Sequence, residues 1–70
     1  MKIYQLTNLG RRLARTTNNP DTPNWRVLHY LDNLSGAATS DQIVMGTGLE
    51  ENQAAGALVL LRRKGLVSEQ

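Results

Sequence analysis

Apolar positions in this chain come in short groups whose spacing alternates between strand-like and helix-like. Lys2 to Leu6 sets Ile3, Tyr4 and Leu6 beside polar Lys2 and Gln5. Branched and aromatic residues suit a half-buried pleated surface, so this reads as a short strand. Thr7 then offers a hydroxyl as a helix N-cap. Leu9 and Leu13 recur four residues apart on one helical face, with Leu6 just ahead of the start. Gly10 costs such a helix about 1 kcal/mol relative to alanine, which points to close packing there. Asn18, Asn19, Pro20, Asp21 and Pro23 make 16–24 a loop. Pro23 is pre-set for the first turn of a second helix. Trp25, Leu28, Leu31 and Leu34 fall on one side of it, Val27 flanks them, and Gly36 ends it. Core packing is the role expected of Trp25 and Tyr30.

The second half has stronger punctuation. Thr39 and Gln42 have the spacing of a capping box, which starts a short helix carrying Ile43, Val44 and Met45. Gly46-Thr47-Gly48 makes a tight turn. Leu49 anchors the next helix, over about 50–64. Glu50 and Glu51 sit near its N-terminus and Arg62, Arg63 and Lys64 at its C-terminus, both favoured by the helix dipole. Ala54, Ala57, Leu58 and Leu61 form its inward stripe. Gly65 caps it, and Leu66 and Val67 begin a last strand. The predicted fold class is mainly α with a small antiparallel sheet (α+β). One domain spans 1–70: residues 1–16 give a strand plus a helix, and residues 24–70 a helix-turn-helix core and a strand.

Composition narrows the function. A 70-residue chain holds one domain and buries only about 60% of its unfolded surface, so it needs good helix packing or a second copy. There is no cysteine, and His29 is the one histidine. No glycine-rich phosphate loop with a following lysine occurs. Asp41, Glu50 and Glu51 are explained as helix starts. Neither catalysis, a metal site nor a cofactor is expected. No apolar run approaches the ~20 residues of a membrane span, and the N-terminus lacks a signal-peptide core, so a cytoplasmic protein is expected. The net charge is +2, unevenly spread. Lys2, Arg11, Arg12, Arg15 and Arg26 oppose Asp21 in the first third. Asp32, Asp41, Glu50 and Glu51 stand without a cation over 27–61. Arg62, Arg63 and Lys64 oppose Glu69 at the end. Basic ends thus flank an acidic middle.

Two helices joined by a short turn containing glycine make a helix-turn-helix. The tail Leu58-x-x-Leu61-Arg62-Arg63-Lys64-Gly65-Leu66-Val67 resembles the end of the recognition helix and the first wing strand of winged-helix regulators. Trp25-Arg26-Val27-Leu28-His29-Tyr30-Leu31 resembles the opening helix of that fold. Tyr4-Gln5-Leu6-Thr7-Asn8-Leu9-Gly10 resembles the Y-x-L-T-x-x-G motif of bacterial and archaeal winged-helix regulators, where it follows the wing. Here it comes first, as in a circular permutant. The expectation is that Ile3 to Leu6 pairs antiparallel with Leu66 to Glu69, so that the N-terminal strand completes a sheet with the C-terminal one.

The resemblance implies a DNA-binding transcriptional regulator whose recognition helix lies in the major groove of double-stranded DNA. By position, Asn52, Gln53, Ala55 and Gly56 reach base edges, and Asn and Gln can read adenine. Arg62, Arg63 and Lys64, with Arg11, Arg12 and Arg15 of the first helix, and Lys2, supply phosphate contacts. Thr39, Ser40 and Thr47 can hydrogen-bond phosphates. Gly56 stands where the family often has arginine, and Glu50 and Glu51 face the groove. Val59 and Leu60 occupy positions that are polar in many winged helices. Leu9 and Leu13, or a second copy in a homodimer, are expected to cover them. The rival reading is a winged-helix protein-interaction or dimerisation module that binds no DNA.

Overall fold

The computed structural model describes residues 2–16, 22–34 and 37–70. Over these the chain runs β1 (Ile3–Leu6), α1 (Asn8–Thr16), α2 (Pro23–Asn33), β2 (Ala37–Thr39), α3 (Ser40–Thr47), α4 (Glu51–Arg63) and β3 (Val67–Glu69). It is mainly helical, with four helices and a small three-stranded antiparallel sheet of order β2-β1-β3.

The first strand is the middle of that sheet. Tyr4, Gln5 and Leu6 lie opposite Glu69, Ser68 and Val67, which is the expected antiparallel pairing of the two chain ends. Ile3 and Gln70 extend the ladder with a reciprocal pair of backbone hydrogen bonds of 3.2 and 2.7 Å. The other edge of β1 pairs with β2, Ile3 opposite Thr39 and Gln5 opposite Ala37. Central placement gives β1 a backbone partner on both sides, as buried amides and carbonyls require.

Thr7 and Gly10 lock this end of the sheet to the first helix. The Thr7 hydroxyl accepts from the Gly10 N–H at 3.0 Å, capping α1, and donates to the Gly65 carbonyl at 2.7 Å. The Thr7 N–H donates to the Leu66 carbonyl at 3.1 Å. A Cβ on Gly10 would collide with that same Leu66 carbonyl oxygen. Glycine is therefore required by the approach of helix to backbone. Gly65, at φ 75°, takes the left-handed conformation that turns α4 into β3.

The central element is α2, which touches α1, α3 and α4. Its Val27, Leu28 and Leu31 are buried, and with Ile43, Leu61 and Val67 they form the middle of the core. The inward stripe of α4 is the expected one: Ala54, Ala57, Leu58 and Leu61 are all buried. Thr39 caps α3 with the expected box. Its hydroxyl accepts from the Gln42 N–H, and the Gln42 amide oxygen accepts from the Thr39 N–H at 2.9 Å.

Several expectations are corrected. Helix α1 does not bury Leu9 and Leu13, which are exposed; it buries Gly10 and Ala14. At Gly10 the close approach to the Leu66 carbonyl leaves no room for a side chain. Ala37 and Ala38 are residues of β2, a strand that the pattern did not predict. Leu34 is exposed, and α2 ends at Asn33 with Leu34 as its cap; the stop assigned to Gly36 lies outside the described residues, as do 17–21 of the expected loop. Gly46 and Thr47 belong to α3, and the turn begins at Gly48, at φ 74°. Gly46 lies under the Tyr30 ring, where any Cβ would overlap the ring. Trp25 is only half-buried and stacks on exposed His29, with ring centres 4.5 Å apart.

Candidate nucleic-acid interface

The outward face of α4 is fixed by its inward one. With Ala54, Ala57, Leu58 and Leu61 turned to the core, Asn52, Gly56, Val59 and Arg63 follow one another on the opposite side at helical spacing. Ala55 and Leu60 flank them. All six are exposed, and open space surrounds Gly56. No element of the described residues covers this face. Leu9 and Leu13 do not cover Val59 and Leu60: all four are exposed, Leu9 by 54% and Val59 by 45%.

Of the residues expected to read bases, Asn52, Ala55 and Gly56 lie on this exposed face. Gln53 is engaged in holding the helix start. Its side-chain oxygen accepts from the Glu50 N–H at 3.2 Å, so Glu50 and Gln53 cap the start of α4. The same oxygen is the one a bidentate contact to adenine would use. Thr39 is engaged in the box that starts α3, and Ser40 is the exposed first residue of that helix. A groove between α3 and α4 over the sheet is lined by Tyr4, Ser40, Asp41, Val44, Glu51 and Ala55, with no cation along it. A phosphate there would meet two carboxylates.

The basic residues expected at phosphates divide into two groups. Arg11 and Arg15 turn toward Asp32 of α2, with their Nε atoms 3.9 and 3.7 Å from its two carboxylate oxygens. Asp32 Oδ1 is buried and makes no hydrogen bond among the described residues, so the arginine charges are its compensation. Arg62 reaches Glu69 of β3 at 3.3 Å, and Lys2 reaches the same oxygen at 3.8 Å. Arg12, Arg63 and Lys64 are exposed and make no ion pair among the described residues. Leu13 and Lys64 line one groove beside Trp25 and Leu66. Leu13 and the Arg11–Arg15 pair stand on different sides of α1, so Arg11 and Arg15 do not share one face with Lys64.

Tyr4 links the sheet to α4. It lines both the groove with Asp41 and Glu51 and a smaller one with Lys2, Val59, Arg62 and Glu69. Burial raises its phenol above the ordinary value of 10.0, and its hydrogen bond to Glu69 and the negative charge there add to the shift. Arg62 opposes it. Tyr4 therefore stays a neutral donor near pH 7.

Sequence reasoning missed Asp32 and Glu69, the two carboxylates that each hold two of the nominated cations. Nothing in spacing alone pairs Asp32 with Arg11 and Arg15, because the pairing needs the packing of α1 on α2. Glu69 could have been found: a strand pairing Leu6 with Val67 puts Glu69 beside Tyr4 and near Lys2. Among the described residues, no cluster of ligating side chains could hold a metal ion, and no helix is long and apolar enough to cross a membrane. Comparison with protein-family models, curated proteins and solved structures finds no match to this chain.

Proposed function

We propose that this chain is a winged-helix domain with permuted strand order, and that it binds double-stranded DNA in the cytoplasm as a transcriptional regulator. The observation that carries this reading is the unit α3–Gly48–α4, with the outer face of α4 open along its whole length beside the antiparallel pair β1–β3. In that unit α4 is the helix free to enter a major groove. Asn52 is its polar residue best placed for a base edge. Arg63 and Lys64 at the end of the helix, and Arg12 on α1, are exposed and without an ion pair among the described residues, and they supply phosphate contacts. Arg62 contributes if phosphate replaces Glu69. No cofactor and no catalytic role belong to this reading.

Duplex binding by substituted proteins tests it. Arg63→Ala should weaken binding to all sequences alike and reduce the salt slope by about 1, whereas Asn52→Ala should relax sequence preference. Equal, sequence-independent losses from both would remove Asn52 from the reading role.

A second reading is favoured by one observation. The middle of the exposed α4 face is Ala55, Gly56, Val59 and Leu60, and no cation occurs on α4 before Arg62. An apolar centre between charged ends suits a protein partner. On this reading the domain is a dimerisation or interaction module.

A further inference from the structure

We propose that the groove between α2 and the C-terminal end of α3 is a small-molecule site for a planar aromatic ring carrying an anionic group. No residue of α4 lines it. The site thus stands apart from the candidate nucleic-acid interface and does not rest on the DNA-binding reading.

The argument starts from where the aromatic side chains lie. The chain has one tryptophan, two tyrosines, no phenylalanine and one histidine. Trp25, His29 and Tyr30 all line this one groove, and none of them is fully buried. A tryptophan ring is among the largest apolar surfaces a core can bury, yet Trp25 is left half-buried. It stacks instead on His29, with ring centres 4.5 Å apart and planes 12° from parallel. His29 is exposed, and stacked rings offer a platform for a further planar ring. Tyr30 forms the adjoining wall. Its ring lies on Gly46, where any Cβ would overlap it. Gly46 lacks the positive φ of Gly48 and Gly65, so contact with the ring, not backbone conformation, requires glycine there.

Size and charge define the ligand. The groove has a volume of about 300 Å³, at the lower end of the range of about 300–1,000 Å³ for small-molecule sites. It follows one stripe of α2, from Arg26 at one end to Asn33 at the other. Seven helical residues separate these two by about 10 Å along the axis, the length of one or two fused rings with a short substituent. Arg26 is the charged residue of the lining, and no carboxylate lines the groove among the described residues. That sets the sign of the ligand. Its anionic group meets the guanidinium in a charge-assisted contact, its ring lies against His29 and Tyr30, and its far edge reaches the Asn33 amide. The side chains of His29, Tyr30 and Asn33 make no hydrogen bond among the described residues, so their polar atoms are open to a ligand. A free aromatic acid and a mononucleotide both carry this chemistry.

Titration of the full chain, followed by heteronuclear NMR, tests the site. Trp25 supplies the chain's one indole N–H, a reporter inside the groove. Naphthoate should give saturable shifts confined to that N–H, the Asn33 side-chain amide and the backbone of 25–33 and 46–47. Neutral naphthamide should bind severalfold more weakly, and acetate at the same concentrations should leave these signals in place. Arg26→Gln should lower naphthoate binding to the level of the amide and leave the amide's own binding unchanged. His29→Ala should weaken both. The two residues are exposed, so both variants should keep the wild-type melting curve. Adenosine monophosphate separates the two sources. Binding tighter than naphthoate at the same signals assigns the site to a nucleotide, and weaker binding assigns it to an aromatic acid. No saturable shift with either probe up to millimolar concentration overturns the proposal. So do shifts centred on Leu13, Val59 or Leu60, naphthamide binding equal to naphthoate, or an unaltered affinity in His29→Ala. Duplex is absent from every arm, so the DNA-binding reading stands or falls separately.

Discussion

At the scale of single residues, two helical glycines have opposite reasons for being glycine. Gly10 is pressed against the Leu66 carbonyl, whereas Gly56 faces open space. Gly10→Ala should destabilise the fold by about 1–3 kcal/mol through overpacking, although alanine is the better helix former. Gly56→Ala, measured in dilute protein, should stabilise it by up to about 1 kcal/mol. Urea denaturation of the two variants checks both signs, and a gain at Gly10 would refute the close contact. Tyr4 gives a pH prediction. Its folded pKa is raised, so the stabilisation it contributes is fully present below its ordinary value of 10.0 and is lost as pH rises through the folded value. Tyr4→Phe should therefore flatten the alkaline fall in stability above pH 10.0; an unchanged alkaline limb would show that Tyr4 is not its source.

At the scale of elements, capping chemistry was the most legible feature. Thr39-x-x-Gln42 marked the start of α3 to the residue, and Thr39→Ala should cost about 1 kcal/mol of stability, read from the shift of the urea midpoint at unchanged slope. The inward stripe of α4 was legible because Ala54, Ala57, Leu58 and Leu61 repeat at helical spacing. The buried face of α1 was not. Hydrophobicity pointed to Leu9 and Leu13, but α1 buries Gly10 and Ala14, and at Gly10 contact with the Leu66 backbone selects for the smallest residue. The strand β2 was illegible for a related reason. Ala37 and Ala38 have little strand propensity of their own, and they pair because β1 lies in the middle of the sheet with a second edge to fill. The pairing of β1 with β3 could be read, because the motif Tyr4-Gln5-Leu6-Thr7 and the tail after Gly65 are each half of one arrangement.

At the scale of the whole molecule, the question is what the uneven charge does. The acidic middle is not one patch. Asp32 is taken up by Arg11 and Arg15, while Asp41 and Glu51 line the groove beside α4. The candidate site was legible as far as α4 and its basic end. It was illegible in its electrostatics, because which cations remain available depends on carboxylates brought from other elements. Glu69, a small distance from both Lys2 and Arg62, shows this directly. Removing that carboxylate with Glu69→Gln should release two cations and tighten nonspecific duplex binding, while a loss of affinity would mean that Glu69 positions Arg62 for the contact.

The most direct test of the central claim is duplex binding measured as a function of salt. With Arg12, Arg63 and Lys64 available, and Arg62 exchangeable, about three or four phosphates should be neutralised. The slope of log affinity against log salt should then be about −3. Binding at low salt that falls with roughly that slope is the predicted result. No detectable binding of a mixed-sequence duplex at low salt, by a dilute and monomeric protein, would contradict it and leave α4 as a surface for protein alone.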